Sequence, residues 1–280
     1  MKNSFLVLGA VATGLFVASC GGSRSNGASG SDEYAITEFE VNQKLVSADK
    51  NYRVVTDYGT VYLDIYTSIQ WPEKLGGNNL GVLRDSLLSY AYGDTVSSSI
   101  LDAVKHFLSD TSIIEGATSV VAVDSLPSDS MTYFNSATAS VLDLDEEMVT
   151  YRVVCSSYLG GAHPMTTIVP FTYDFNTSKV LNADNIFLPG VSADSIMPVI
   201  VEALARQYSV PVGALEREGF FMSNLTYPGR PYIANNILYF HYDPYEIGPY
   251  SLGAIDVAVY PYELEAYLRP EIKSLFDNGF

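Results

Sequence analysis

Met148-Val149-Thr150-Tyr151-Arg152-Val153-Val154-Cys155-Ser156-Ser157-Tyr158 is an eleven-residue run, rich in β-branched and aromatic side chains, that reads with a period of two. That period is the pleat of a strand, and it fits no helix. The same pattern holds on either side, over Phe134 to Leu144 and Thr166 to Phe175. Asp145-Glu146 and Gly160-Gly161 supply the turns between, and Asn176-Thr177-Ser178-Lys179 a further one. Three long strands joined by short turns predict an antiparallel meander.

Outward from this core, Ile36, Phe39 and Val41 read as strand, as do Val61, Leu63 and Ile65, with Trp71-Pro72 ending the second. Leu80, Leu83, Leu87 and Tyr90 repeat with helical spacing. So do Ile100, Val104, Phe107 and Leu108, behind a capping run Ser97-Ser98-Ser99. A third helix carries Ile196, Val199, Ile200, Ala203, Leu204 and Tyr208, with Ser192 or Asp194 as cap and Pro211 as stop. Ile233 to Tyr242 and Ala254 to Tyr260 read as strands flanking a Pro/Gly-punctuated loop, and Pro261 opens a closing helix through Leu268. Runs of strands and helices without regular alternation predict an α+β fold, a mostly antiparallel sheet with packed helices. We expect an N-terminal subdomain over 34–130 and a C-terminal one over 131–280.

The chain's beginning points to export. Lys2 precedes the apolar stretch Phe5 to Val17, and Val17-Ala18-Ser19-Cys20 has the small-residue pattern of a lipoprotein cleavage site. The apolar run is shorter than the roughly 20 residues a membrane span needs. Residues 1–19 are therefore expected to be a signal, with Cys20 as the lipidated residue. Residues 20–33 form a Gly/Ser-rich tether with a root-mean-square reach of roughly 18 Å. The expectation is an exported chain held to the bacterial cell envelope through its lipid alone.

Of 280 residues, 48% are apolar and 12% aromatic, enough for a real core, and the formal charge is −17. Such acidity disfavours nucleic acid and attracts cationic partners. With Cys20 lipidated, Cys155 is left without a disulfide partner and reads as a buried, inert thiol. The three histidines, His106, His163 and His241, form no H-x-x-x-H or H-E-x-x-H pair, and no Cys-x-x-Cys, G-x-S-x-G or P-loop motif is present. No metal or cofactor is expected, and a non-catalytic body is favoured over an enzyme.

Two segments stand out: Tyr158-Leu159-Gly160-Gly161-Ala162-His163-Pro164-Met165-Thr166-Thr167 leading to Tyr173-Asp174-Phe175, and Tyr239-Phe240-His241-Tyr242-Asp243-Pro244-Tyr245-Glu246-Ile247-Gly248-Pro249-Tyr250 leading to Val259-Tyr260-Pro261-Tyr262-Glu263-Leu264. Gly160-Gly161 permits a tight turn, and Pro164 presses His163 toward an extended conformation at a strand entrance. Pro244, Gly248 and Pro249 make the second segment a loop. Tyr158, Gly160, Gly161, His163, Asp243, Tyr245, Glu246 and Tyr250 are the candidate binding residues. For each of them a purely structural role is the competing reading.

In order and spacing, these segments resemble the ectodomain family shared by the anti-sigma factor RsiV and the peptidoglycan deacetylase PdaC, with residues 34–125 similar to its companion N-terminal domain. The resemblance implies an envelope ligand, a lysozyme-like cationic protein or cell-wall glycan, bound without catalysis. The alternative is a cell-wall-directed hydrolase or deacetylase-like enzyme built on the His163 region. It would require His163 to meet Asp174, Asp243 or Glu246 in one pocket.

Overall fold

The computed structural model describes residues 39–93, 95, 97, 99–128 and 132–276, together with the backbone of 7–16. Cys20 and the tether lie outside the described residues. Within 1–19, only the backbone of β1 (Val7–Phe16) is described, antiparallel to the start of β2.

β2 (Phe39–Thr56) and β3 (Gly59–Leu75) form one long hairpin. α1 (Gly81–Tyr92), α2 (Ile100–Ser109) and β4 (Ala117–Val123) follow, and β4 lies along the far half of β2. β5 (Thr132–Leu144) then pairs parallel to β3. β6 (Met148–Tyr158), β7 (Met165–Asp174) and β8 (Lys179–Val180) complete the sheet antiparallel, in the order β1-β2-β3-β5-β6-β7-β8. After α3 (Ala183–Ile186) and α4 (Ala193–Gln207) comes a small sheet, β11-β10-β9, from β9 (Arg230–Ala234), β10 (Ile237–Tyr242) and β11 (Ile255–Val259). α5 (Pro270–Lys273) is the last described helix. The architecture is α+β with a large, mostly antiparallel sheet.

The meander falls where its alternation puts it, with Val149, Tyr151 and Val153 of β6 buried in one core beside Leu83, Leu87 and Val104 of the helices. Asp145 fixes the β5–β6 turn by accepting from the Glu147 and Met148 amides at 2.7 and 2.8 Å. Ser99 caps α2 by accepting from the Asp102 amide. A second core packs Ile196, Ile200 and Leu204 of α4 on Leu238, Phe240 and Val257 of the small sheet. The first core joins residues on both sides of the 130/131 boundary, because β3 and β5 share the large sheet.

Several expectations need correction. Trp71-Pro72 does not end its strand: β3 continues to Leu75, and a register shift opposite Asn42/Gln43 absorbs the missing proline amide. The stretch from Ile233 to Tyr242 is not one strand but the β9–β10 hairpin. Asn235 and Asn236 turn it with φ of 50° and 61°, the left-handed pair of a type I′ turn. The closing helix is a 3-10 turn at Pro261–Leu264, distinct from α5. Of the α1 stripe, Tyr90 is exposed, and Leu88 and Ala91 are buried with Leu83 and Leu87.

Two buried threonines join the sheets. Thr172 of β7 accepts from the Ile233 amide at 2.8 Å, and Thr150 of β6 donates to the Ile233 carbonyl at 2.5 Å. This seam sets β9 against β7. It also brings the loop that follows β10 over the β6–β7 turn.

Candidate functional site

The two singled-out segments meet at that point. Gly160 and Gly161 carry φ of 94° and 108°, conformations that favour glycine, and a Cβ on Gly160 would lie 3.2 Å from the Tyr133 hydroxyl. Tyr158 donates to the Gly161 carbonyl at 3.0 Å, closing the turn on itself. His163 leaves this turn and lies flat on Tyr250, with ring centroids 3.9 Å apart and planes 16° from parallel. Its Nδ1 is 2.9 Å from the Pro164 carbonyl oxygen, which can only accept, so Nδ1 carries the proton. In the neutral ring Nε2 is then an acceptor, and the Tyr245 hydroxyl stands 3.2 Å away to donate. Tyr250 donates to the same Pro164 oxygen at 3.0 Å. Tyr245, 5.5 Å from Tyr250 between centroids, is half exposed and holds φ at 73°, a strained value for a non-glycine residue.

The acids of the loop face inward. Asp243 accepts from the Ile168 amide at 2.9 Å and pairs with Arg230. Glu246 accepts from the Asp243 amide at 2.6 Å. Asp174 accepts from the Asn176 amide and the Thr177 hydroxyl beyond β7. The structure therefore joins His163, Tyr245 and Tyr250 in one cluster, places Tyr158, Gly160 and Gly161 in the supporting turn, and uses Asp243 and Glu246 as loop braces. No carboxylate is hydrogen-bonded to His163 among the described residues.

Sequence reasoning misses a buried ionic network beside the site. His241 has a fully buried side chain, with Nδ1 2.6 Å from Asp256 Oδ1 and Nε2 3.4 Å from Asp243 Oδ1. Burial is the largest influence and opposes the imidazolium. The bonds to Asp243 and Asp256 and their charges outweigh it and raise the pKa of His241. Burial likewise works against the Asp243 carboxylate. His241, the Ile168 amide and Arg230 outweigh that and hold its pKa below the ordinary value. Only cross-strand register brings His241 opposite Asp256 and Arg230, and no spacing along the chain signals it.

His106 is exposed on α2. Cys155 is half-buried rather than sealed; its thiol points to the Tyr90 and Ala91 carbonyl oxygens at 3.4 and 3.5 Å, and burial pushes its pKa up. Among the described residues, no histidine ring is hydrogen-bonded to a serine hydroxyl, Ser109 reaching only the backbone carbonyl of His106, and no group of His, Cys, Asp and Glu is placed to hold a metal ion. No described helix is long and apolar enough to cross a membrane.

Residues 184–263 match the family described as DUF3298, a protein of unknown function. The match includes the Asp243–Tyr250 loop and stops short of the His163 turn. Esterase Rv3036c of Mycobacterium tuberculosis (strain ATCC 25618 / H37Rv) is 32% identical over 102 residues, which cover 36% of this chain. The matched stretch is 44% of that relative's length. A DUF3298 family member from Bacteroides fragilis has the same fold: TM-score 0.63, 18% identity, 83% of this chain and 98% of that one covered. A DUF3298 family protein from Pseudomonas aeruginosa PAO1 gives TM-score 0.53 and 16% identity, over 81% of this chain and 95% of that one.

Proposed function

We propose that this chain is an exported lipoprotein, anchored in the cell envelope through Cys20, whose α+β body binds a ligand at the His163–Tyr245–Tyr250 surface and catalyses nothing. The observation that carries the reading is Tyr245. A half-exposed aromatic ring is fixed beside two others by a backbone conformation that disfavours its side chain. Strain of this kind persists where the surrounding structure enforces it, and it clusters at ligand clamps. Aromatic residues of this type are common anchors at protein interfaces. The formal charge of −17 makes a cationic protein of the lysozyme type the favoured partner, in keeping with the resemblance to the RsiV and PdaC ectodomains.

The test is interferometry of the full chain in detergent against lysozyme and against soluble cell-wall glycan, each at low and high salt. Lysozyme binding that weakens with salt and is lost in Tyr245→Ala supports the reading; glycan binding alone reassigns the ligand, and no binding to either removes it. Labelled palmitate entering wild type but not Cys20→Ala tests the anchor.

A second reading, ester hydrolysis, is favoured by the likeness to a protein named an esterase. His163 Nε2 would take a proton from a water attacking the ester carbonyl and return it to the departing alcohol as the ester C–O bond breaks, with the Tyr245 hydroxyl orienting the ring. Turnover of p-nitrophenyl acetate that disappears in His163→Gln supports hydrolysis, and equal rates in both proteins exclude this site.

A further inference from the structure

We propose that a cleft at one end of the large sheet is a separate binding site, for an organic cation carried on an apolar stem: a primary ammonium or a guanidinium. The cleft has a volume of about 600 Å³, within the range of small-molecule sites. The tip of the β2–β3 hairpin, the segment ahead of β4, the start of β5 and the turn after β6 line it, contributing Tyr58, Ile113, Glu115, Tyr133 and Leu159.

Two of the walls are braced. The Thr56 hydroxyl accepts from the Tyr58 amide at 3.2 Å and donates to the Gly59 carbonyl at 3.1 Å, bracing the hairpin tip. Tyr133 is held in register with Leu63 and packs edge-on against Tyr158. The side-chain-free Gly160 leaves room for its hydroxyl.

The chemistry of the walls selects the ligand. Ile113, Leu159 and the aromatic rings offer contact for a stem, and the charged group among the lining residues is Glu115, with no Lys, Arg or His beside it. Neither the Glu115 carboxylate nor the Tyr133 hydroxyl has a protein partner among the described residues. Tyr58 is fully exposed, at 102%, so its ring has no packing to lose when it turns onto a ligand. A carboxylate in a cleft that also holds tyrosine rings attracts a cation and repels an anion, and the net charge of −17 adds to the same sign. A neutral apolar ligand would use the stem contacts and leave Glu115 unanswered. Leu159 and His163 stand on opposite sides of Gly160-Gly161, so the cleft neighbours the His163–Tyr250 surface without sharing its side chains. The proposal does not depend on the partner assigned to that surface.

The experiment titrates the full chain with 2-phenylethylammonium, with the neutral isostere 2-phenylethanol, and with a blocked hexapeptide bearing one arginine among apolar residues. Amide shifts of Gly59 and Gly160 report the binding. We expect both cations to shift these glycines, with the alcohol about tenfold weaker or worse, and Glu115→Gln to bring amine and alcohol within about twofold. Glu115 is exposed, so this variant keeps the fold. A tighter amine or a tighter peptide supports the site equally and tells a free amine from a partner's side chain. Equal affinity for amine and alcohol, no shift with either cation, or an unchanged preference in Glu115→Gln overturns the proposal. Tyr245→Ala leaves these shifts intact, which separates failure of the cleft from failure of the aromatic surface.

Discussion

His163 and Tyr250 stack 3.9 Å apart and both donate to one acceptor, the Pro164 carbonyl oxygen. The stack and the shared oxygen join the β6–β7 turn to the loop after β10, so the pair is a fastening as well as a surface. Tyr250→Phe keeps the ring and loses one hydrogen bond. We expect it to lower stability by about 1 kcal/mol, a fall in Tm of about 2–4 °C at this size. Tyr250→Ala also loses the stacking, about 0.5–1.5 kcal/mol more, and buried area besides. Equal Tm values for the two variants would show that the ring contributes nothing.

Tyr245 separates stability from binding. At φ 73° a glycine is at ease and a tyrosine is not. Replacing it with glycine relieves the strain and removes a half-exposed ring that packs little. We expect Tyr245→Gly to match or exceed the wild-type Tm, by up to about 1 kcal/mol in stability, while binding at the surface drops about tenfold or more. A destabilised Tyr245→Gly would mean that the ring belongs to the packing.

Legibility of the sequence follows the same physics. The strand pattern places Met148–Tyr158 at its observed bounds, because Val149, Tyr151 and Val153 face the first core and the flanking turns carry Asp145 and Gly160. It fails for β4, whose residues are almost all exposed, because exposure on both faces leaves no period to detect. It fails again at β9–β10, where Asn235-Asn236 interrupts a run of apolar residues; two adjacent asparagines are the signal that marks the hairpin. The parallel pairing of β3 with β5 depends on packing across a long crossover and has no local signature. The site divides in the same way. The candidate segments are visible as sequence, but the stacking of His163 on Tyr250 and the inward turn of Asp243 need the small sheet to lie against β7, where the Thr150–Ile233–Thr172 seam and the Asp243–Ile168 bond fasten it.

Two glycines test whether backbone freedom or space is the constraint. Gly93 and Gly229 both have positive φ, 63° and 72°. A Cβ on Gly93 meets nothing within 4 Å, whereas one on Gly229 would lie 2.7 Å from the His241 carbonyl oxygen. Gly93→Ala should destabilise by about 1 kcal/mol, the left-handed penalty alone. Gly229→Ala should destabilise by about 2–4 kcal/mol, because the backbone it strikes carries His241. Urea unfolding of both variants checks the difference, and equal values would make conformation the whole effect.

The ionic network predicts how stability follows pH. Folding raises the pKa of His241, so its contribution is complete below the unfolded value of about 6.5 and fades as pH climbs through the folded value. Asp243 is depressed on folding, so its contribution is present above about 3.9 and fades as pH falls through the folded value. Arg230 faces Asp243 from β9, Asp256 faces His241 from β11, and Tyr232 is hydrogen-bonded to Asp256. The stabilisation is therefore greatest at about pH 5–6, between the two transitions. We expect the wild-type Tm to fall from pH 6 toward pH 9, and His241→Gln, which keeps hydrogen bonds but holds no titrating proton, to flatten that fall. Asp256→Asn should destabilise at pH 6 by about 1–2 kcal/mol, less than a sealed pair would lose, because the Asp256 side chain is 28% exposed. An alkaline fall of the same size in wild type and His241→Gln would place the titrating group elsewhere in the chain.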